Sequence, residues 1–238
     1  MLGMKMAQHR RMREDGERPF WISFSDLMSA LMVLFLVAMT VALLAVTNEI
    51  SEAEREKAER DREIEELLAR IREVTSDFPG VTVRGRSVDF GDRARFDTNS
   101  HKLTKDQTHL LRAVIPKLLE VARDPLGQKW IKRAIVEGFA DQRGTYLHNL
   151  NLSLQRSERV LCVLLAAPDA GEAPLSQKDR LLIRELFLVG GSSFNSLKES
   201  LDESRRIELK LEFLDIDERR AVARDLPLDH DLRCPIDP

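Results

Sequence analysis

The chain is 238 residues long, 43% hydrophobic and 32% charged, with a formal net charge of -3 at pH 7. That length holds one or two domains, and that balance belongs to a folded protein, not a disordered one. The acidic balance, with no basic stripe interleaved with aromatics, argues against a nucleic-acid binder.

Residues 1–18 form a short basic arm, in which Lys5, Arg10, Arg11, Arg13 and Arg18 outnumber Glu14, Asp15 and Glu17. An apolar run over 19–46 follows, and Leu27 to Val46 carries no charge. About twenty helical residues at about 1.5 Å each cover about 30 Å, the thickness of a bilayer core. A secretory signal would have a shorter apolar region, roughly 7 to 15 residues, ending at a cleavage site. This run continues into a charged helix, so it reads as an uncleaved signal anchor. Arg18 adjoins the span, while Thr47 to Glu54 has no basic residue. Although Arg55, Lys57, Arg60 and Arg62 come soon after, the bias beside the span places the N-terminus in the cytoplasm. The expectation is a single-pass protein of a bacterial inner membrane with a periplasmic C-terminal domain.

One acid, Asp26, lies near the start of this run, one to two turns past the interfacial Trp21. An ionisable group in hydrocarbon costs roughly 2.5 to 3.5 kcal/mol on insertion scales, and such a group marks a functional site by default. Steps of three and four residues place Asp26, Ser29, Val33, Leu36, Thr40, Leu43 and Thr47 on one face, which gathers most of the small polar groups. The plain alternative is a boundary acid capping the helix, a task open equally to Ser23 or Ser25.

The string Trp21-Ile22-Ser23-Phe24-Ser25-Asp26-Leu27-Met28-Ser29-Ala30-Leu31-Met32 resembles the membrane segment of the B subunits of ion-driven rotary stators, the MotB and PomB proteins. The resemblance implies that Asp26 binds a translocated proton or sodium ion, with Ser29 and Thr40 supporting the path. It also implies a homodimer inside a ring of MotA-like subunits, and no cofactor. A carboxyl group in low dielectric suits that role, since burial disfavours its charged form and lets it alternate between loaded and empty states.

Residues 47–77 switch to Glu, Arg, Lys and Ala without Pro or Gly and read as a charged helical stalk, about 80 Å long with the span if unbroken. Within it Ile64, Leu67, Leu68, Ile71 and Val74 form a short seam, which suits either packing on the following domain or a two-stranded coiled coil.

Phe78-Pro79-Gly80 stops the helix and opens a domain over 78–214. Val81, Val83, Val88 and Phe90 predict a hairpin around Arg84-Gly85-Arg86. Thr104 and Gln107 form a capping box for a helix over 105–122. The pattern then predicts strands at 130–136, 186–189 and 207–213, a helix over 152–166 and a short one over 177–185. The fold class is α+β, with helices on one face of a small mixed sheet, followed by a tail over 215–238.

Phe96-Asp97-Thr98-Asn99-Ser100, then Gly138-Phe139-Ala140-Asp141 with Gly144, Asn149, Leu152-Ser153 and Arg156, then Arg205-Arg206-Ile207-Glu208, are similar to the OmpA-like peptidoglycan-binding domain. The resemblance implies a βαβαβ-type sandwich in which Asp141 and Arg156 grip the diaminopimelate of the stem peptide, with Asp97 and Asn149 completing the pocket. An ammonium and a carboxylate on one ligand suit an acid and a planar guanidinium. The residues alone leave Asp141 open to a turn role and Arg156 to bracing the sheet. Phe139-Ala140 departs from the family's usual His or Tyr then Thr, and removes a hydroxyl beside the acid. Residues 167–185 and the tail are not family-typical.

Cys162 and Cys234 are too few and too far apart for a zinc site or a redox motif. In a periplasmic domain they are able to pair; two free thiols is the favoured reading. His9, His101, His109, His148 and His230 form no ligand pattern, and no nucleophile with a base or phosphate-cradling loop points to an enzyme. Among rotary stators this short chain, with no long spacer before its wall domain, most resembles the B subunits of Zorya anti-phage defence systems, whose partner is a MotA-like, ZorA-type subunit. A flagellar MotB-type subunit and a passive anchor between membrane and wall are the alternatives.

Overall fold

The computed structural model describes residues 18–166, 174–220 and 234–236, with side chains from Trp21 onward. The basic arm up to residue 17, residues 167–173 and residues 221–233 of the tail lie outside the described residues. The chain divides into two compact units, Met1–Ala58 and Glu59–Pro238. Helix α1, Arg18–Ser76, begins in the first and ends in the second.

In the first unit α1 is long and apolar enough to cross a membrane, and its described side chains are all exposed. The hydroxyls of the polar face turn back onto their own helix. Ser29 Oγ donates to the Ser25 carbonyl at 2.8 Å, Thr40 Oγ1 to Leu36 at 2.7 Å and Thr47 Oγ1 to Leu43 at 2.9 Å. Such back-bonding satisfies each hydroxyl internally, as a hydrocarbon environment demands. Asp26 has no such bond among the described residues, so its carboxyl group is the one polar group on this face left to interact outward.

The second unit begins inside the segment read as stalk. Ile64, Leu67, Leu68 and Ile71 are each at most 2% exposed and belong to its hydrophobic core. Burial here excludes a coiled-coil seam from the same side chains, so the first of the two readings of this seam is the one observed. Arg60 Nε donates to the Leu214 carbonyl at 2.9 Å, and Glu63 accepts from Lys129 Nζ at 2.6 Å and from the indole of Trp130. These bonds fix the last third of α1 to the body of the unit.

The sheet has five strands in the order β1-β2-β5-β3-β4: β1 Thr82–Arg84, β2 Ser87–Asp89, β3 Ile131–Gly138, β4 Phe187–Gly191 and β5 Ile207–Phe213. β3 and β4 are parallel and the other pairs antiparallel, a mixed sheet as expected. Strand β5 alternates as its sequence does: Ile207, Leu209, Leu211 and Phe213 are buried. Helix α2, Lys105–Arg123, starts at the Thr104/Gln107 capping box and buries Leu110, Leu111, Val114, Leu118 and Leu119. Short helices α3 (Pro125–Trp130) and α6 (Leu201–Ser204) were not evident in the sequence pattern. Trp130 ends α3 instead of opening a strand, because Pro125 at the first helical position starts another turn. Helix α4, Tyr146–Leu165, begins six residues before 152, capped by Thr145, whose side chain accepts from His148 N. Helix α5 spans Gln177–Leu186.

A disulfide joins Cys162 of α4 to Cys234 of the tail, with Cα atoms 5.3 Å apart. The favoured expectation of two free thiols is therefore corrected: the tail returns to α4 and brings together residues 72 apart in sequence.

Candidate functional site

The site lies where the end of β3, the start of α4 and the Asp97–Ser100 turn converge. Two glycines allow that approach. A Cβ on Gly138 would fall 2.0 Å from the Ser153 carbonyl, and one on Gly191 would fall 2.6 Å from Ser153 Oγ, so α4 rests directly on the ends of β3 and β4. After Gly138 the chain leaves the sheet through Phe139, Ala140 and Asp141 and turns at Gly144, whose φ of 97° suits only glycine.

A cavity of about 230 Å³ opens there, lined by Thr98, Asn99, Asp141, Arg143, Gly144, His148, Asn149, Leu152, Arg156 and Arg205. Three of the four residues expected to bind a ligand line it, namely Asp141, Asn149 and Arg156. Asp97 does not. Its side chain is exposed, and its carbonyl is what faces inward, accepting from Arg156 Nη2 at 3.1 Å. Asp97, expected to help complete the pocket, is therefore not among the residues that line this cavity.

Arg156 is fully buried. Besides Asp97 it donates to the Ser100 carbonyl at 2.9 Å and the Phe139 carbonyl at 2.6 Å, and it stacks 5.0 Å over the Phe96 ring. The bracing role left open by the sequence is thus present, since one guanidinium ties the Asp97–Ser100 turn to the end of β3. These three bonds use three of the roughly five guanidinium N–H groups, leaving the others beside the cavity. Burial, reinforced by the charge of Arg205 and opposed by Asp141, brings the Arg156 guanidinium down to about 10, which leaves it charged at neutral pH.

Among the described residues, Asp141 is the only acid lining the cavity. It accepts from Arg143 through the backbone N–H at 3.0 Å, Nε at 3.3 Å and Nη2 at 2.6 Å, and from Arg205 Nη1 at 3.1 Å. Burial disfavours its charge most strongly, but the bonds from Arg143 and Arg205 outweigh that and hold its pKa at about 2. Arg205 is itself anchored, its Nε donating to the Phe96 carbonyl at 2.8 Å while Phe96 N donates back to the Arg205 carbonyl at 2.9 Å. Three arginines against one aspartate leave this cavity net positive, which favours a ligand bearing a carboxylate.

Asn149 is buried and donates from Nδ2 to the Arg143 carbonyl at 2.9 Å, so it shapes the turn that carries Arg143. Near the mouth, His148 Nε2 lies 2.7 Å from Asn99 Oδ1. The sequence reading did not single out Arg143, His148 or Arg205 as site residues. Arg143 sits two residues beyond Asp141, and that proximity was the available signal. The Phe139-Ala140 departure also has a structural account: Phe139 lies 4.0 Å below the guanidinium of Arg206, outside the cavity, and Ala140 N donates to the Ser193 carbonyl at 2.8 Å. No cluster of three or more metal-binding side chains occurs among the described residues.

No protein-family model matches the chain. The Zorya protein ZorB of Escherichia coli O139:H28 (strain E24377A / ETEC) is 40% identical over 230 residues, covering 95% of this chain and 93% of that protein. The chain belongs to the ZorB family. The resemblance to stator B subunits read from the residues thus has a ZorB relative along nearly its whole length. Among solved structures, the OmpA-like domain of FopA1 from Francisella tularensis subsp. tularensis SCHU S4 has a TM-score of 0.36 at 16% identity, over 57% of this chain and 82% of that one. The peptidoglycan-associated lipoprotein of Burkholderia pseudomallei has a TM-score of 0.32 at 15% identity, over 54% and 90% of the two chains. The periplasmic domain of Helicobacter pylori MotB has a TM-score of 0.39 at 13% identity, over 58% and 80%. Likeness at this level says nothing of function.

Proposed function

We propose that this ZorB-family chain is the wall-anchored B subunit of an ion-driven inner-membrane rotary motor acting in anti-phage defence. The observation that carries the reading is the joining, in one chain, of an acid within a membrane-length helix to a domain with an arginine-lined, aspartate-bearing cavity. Asp26 takes up and releases a proton or sodium ion, and each elementary charge that crosses supplies about 2.3 kcal/mol per 100 mV. The cavity takes the diaminopimelate of the peptidoglycan stem peptide, its carboxylate going to the guanidinium groups and its ammonium to Asp141. Held at the wall, a homodimer of this chain is the fixed part against which a ring of MotA-like, ZorA-type subunits turns. A passive anchor has no use for Asp26.

The disulfide between Cys162 and Cys234 supports a periplasmic position for the second unit, because such bonds persist in oxidising compartments. The N-terminus is then cytoplasmic. The chain works by binding and ion transfer, without catalysis and without a cofactor.

Co-sedimentation of the full-length protein in detergent with purified sacculi tests the anchoring half. Wild type is expected in the pellet, with D141N and R156K left largely in the supernatant. Equal sedimentation of both variants and wild type would remove these residues from the wall site.

A further inference from the structure

Asp141 has no acceptor position left for a ligand. A carboxylate offers about four lone-pair sites. Here four N–H groups meet the two oxygens: the backbone N–H of Arg143 on Oδ1, Nη2 of Arg143 and Nη1 of Arg205 on Oδ2, and Nε of Arg143 shared between Oδ2 at 3.2 Å and Oδ1 at 3.3 Å. An ammonium reaching Asp141 must displace one of these donors, and they are not equally held. Arg205 is 11% exposed and also bonds the Phe96 carbonyl and Asp202. The backbone N–H is fixed by the turn. The Arg143 side chain is 50% exposed, and beyond Asp141 its one bond is to Thr98 Oγ1 at 3.0 Å.

We infer that the Arg143 side chain is a built-in stand-in for the ligand's ammonium, closing the cavity on itself until a ligand displaces it. The inference rests on the wall-binding reading of this cavity and adds a determinant of its affinity and selectivity. Arg143 and an incoming ammonium compete for the same two oxygens. The net positive cavity repels a cation that lacks an accompanying carboxylate, so only a zwitterionic group both neutralises the arginines and replaces Arg143. Thr98 sets how firmly the stand-in is held.

Full-length wild type, R143Q and T98V, each bound to sacculi in detergent, would be released by free meso-diaminopimelate or by pimelate, which has the carboxylates but no ammonium, and D141N serves as the non-binding control. R143Q keeps the backbone N–H on Oδ1, so the turn survives the change. Its affinity for meso-diaminopimelate is expected to rise by about two- to fivefold, the scale of one exposed ion pair, with a smaller rise for T98V. Pimelate binding is expected to weaken in R143Q, since a guanidinium is lost without any competitor being removed. Unchanged or weaker meso-diaminopimelate binding by R143Q and T98V, with binding still lost in D141N, overturns the stand-in and leaves the wall-binding reading intact. Wild type that ignores sacculi, or D141N that binds like wild type, overturns both.

Discussion

Arg205 Nη1 donates to Asp141 Oδ2 across 3.1 Å, between side chains that are 11% and 6% exposed. The same guanidinium reaches the Phe96 carbonyl, so one arginine at the start of β5 ties the acid of the cavity to the strand-to-turn connection before α2. Replacing it leaves a buried carboxylate short of a partner and a carbonyl without a donor. R205A is expected to lower unfolding free energy by about 3 kcal/mol, with R205K recovering part of it. Urea titration in detergent, followed by tryptophan fluorescence, measures the shift.

The depressed Asp141 pKa, about 2 when folded against 3.8 ordinarily, makes stability pH-dependent with a definite sign. Between those values the unfolded chain binds a proton that the folded chain does not. The contribution is therefore fully present above the ordinary value and is lost as pH falls toward the folded one. Its size is about 2 kcal/mol. Wild type should lose this increment over that acidic window while D141N shows a flatter curve; parallel curves would contradict the assignment.

Arg156 should prove harder to replace than a surface binding residue. The side chain is fully buried, and R156A removes all three carbonyl bonds, leaving the Ser100 and Phe139 carbonyls without this donor while Asp97 still accepts from Ser100 N, an expected loss of about 3 kcal/mol. R156K keeps a charge but not the planar fork, so it should melt between the two. Thermal unfolding of the three proteins gives the order, and a melting point of R156A equal to that of wild type would exclude the brace.

The disulfide closes a long loop from α4 to the tail, residues 72 apart. On the chain-entropy account a loop of that length stabilises by about 4 kcal/mol. C162S, C234S and reduced wild type should share one lowered denaturant midpoint, and the double variant should no longer respond to reductant.

Much of this architecture was legible in residue patterns. The alternation of Ile207 to Phe213 marked β5, and the Thr104/Gln107 pair marked the start of α2. The seam of Ile64, Leu67, Leu68 and Ile71 announced burial but not its partner, because a three-and-four spacing is the same whether a helix meets a domain or another helix. The cavity was legible in Asp141, Asn149 and Arg156. Asp97 stands outside the cavity lining, and a sequence gives no sign that it is the carbonyl of that residue that meets the guanidinium. Arg205 stayed hidden because it lies 64 residues from Asp141 and is brought there by β5 pairing with β3. The disulfide was an open alternative in the sequence, which shows two cysteines but not that Cys234 lies beside Cys162.

The proposed motor stands or falls most directly on Asp26. Cells carrying the complete defence system with wild-type or D26N chain would be challenged with phage, with membrane fractions probed for equal amounts of inserted protein. Asn keeps the shape of the side chain but has no proton to exchange and no charge to pair with a cation. The expected result is loss of protection in D26N at unchanged membrane levels; protection equal to that of wild type would contradict ion transfer through Asp26.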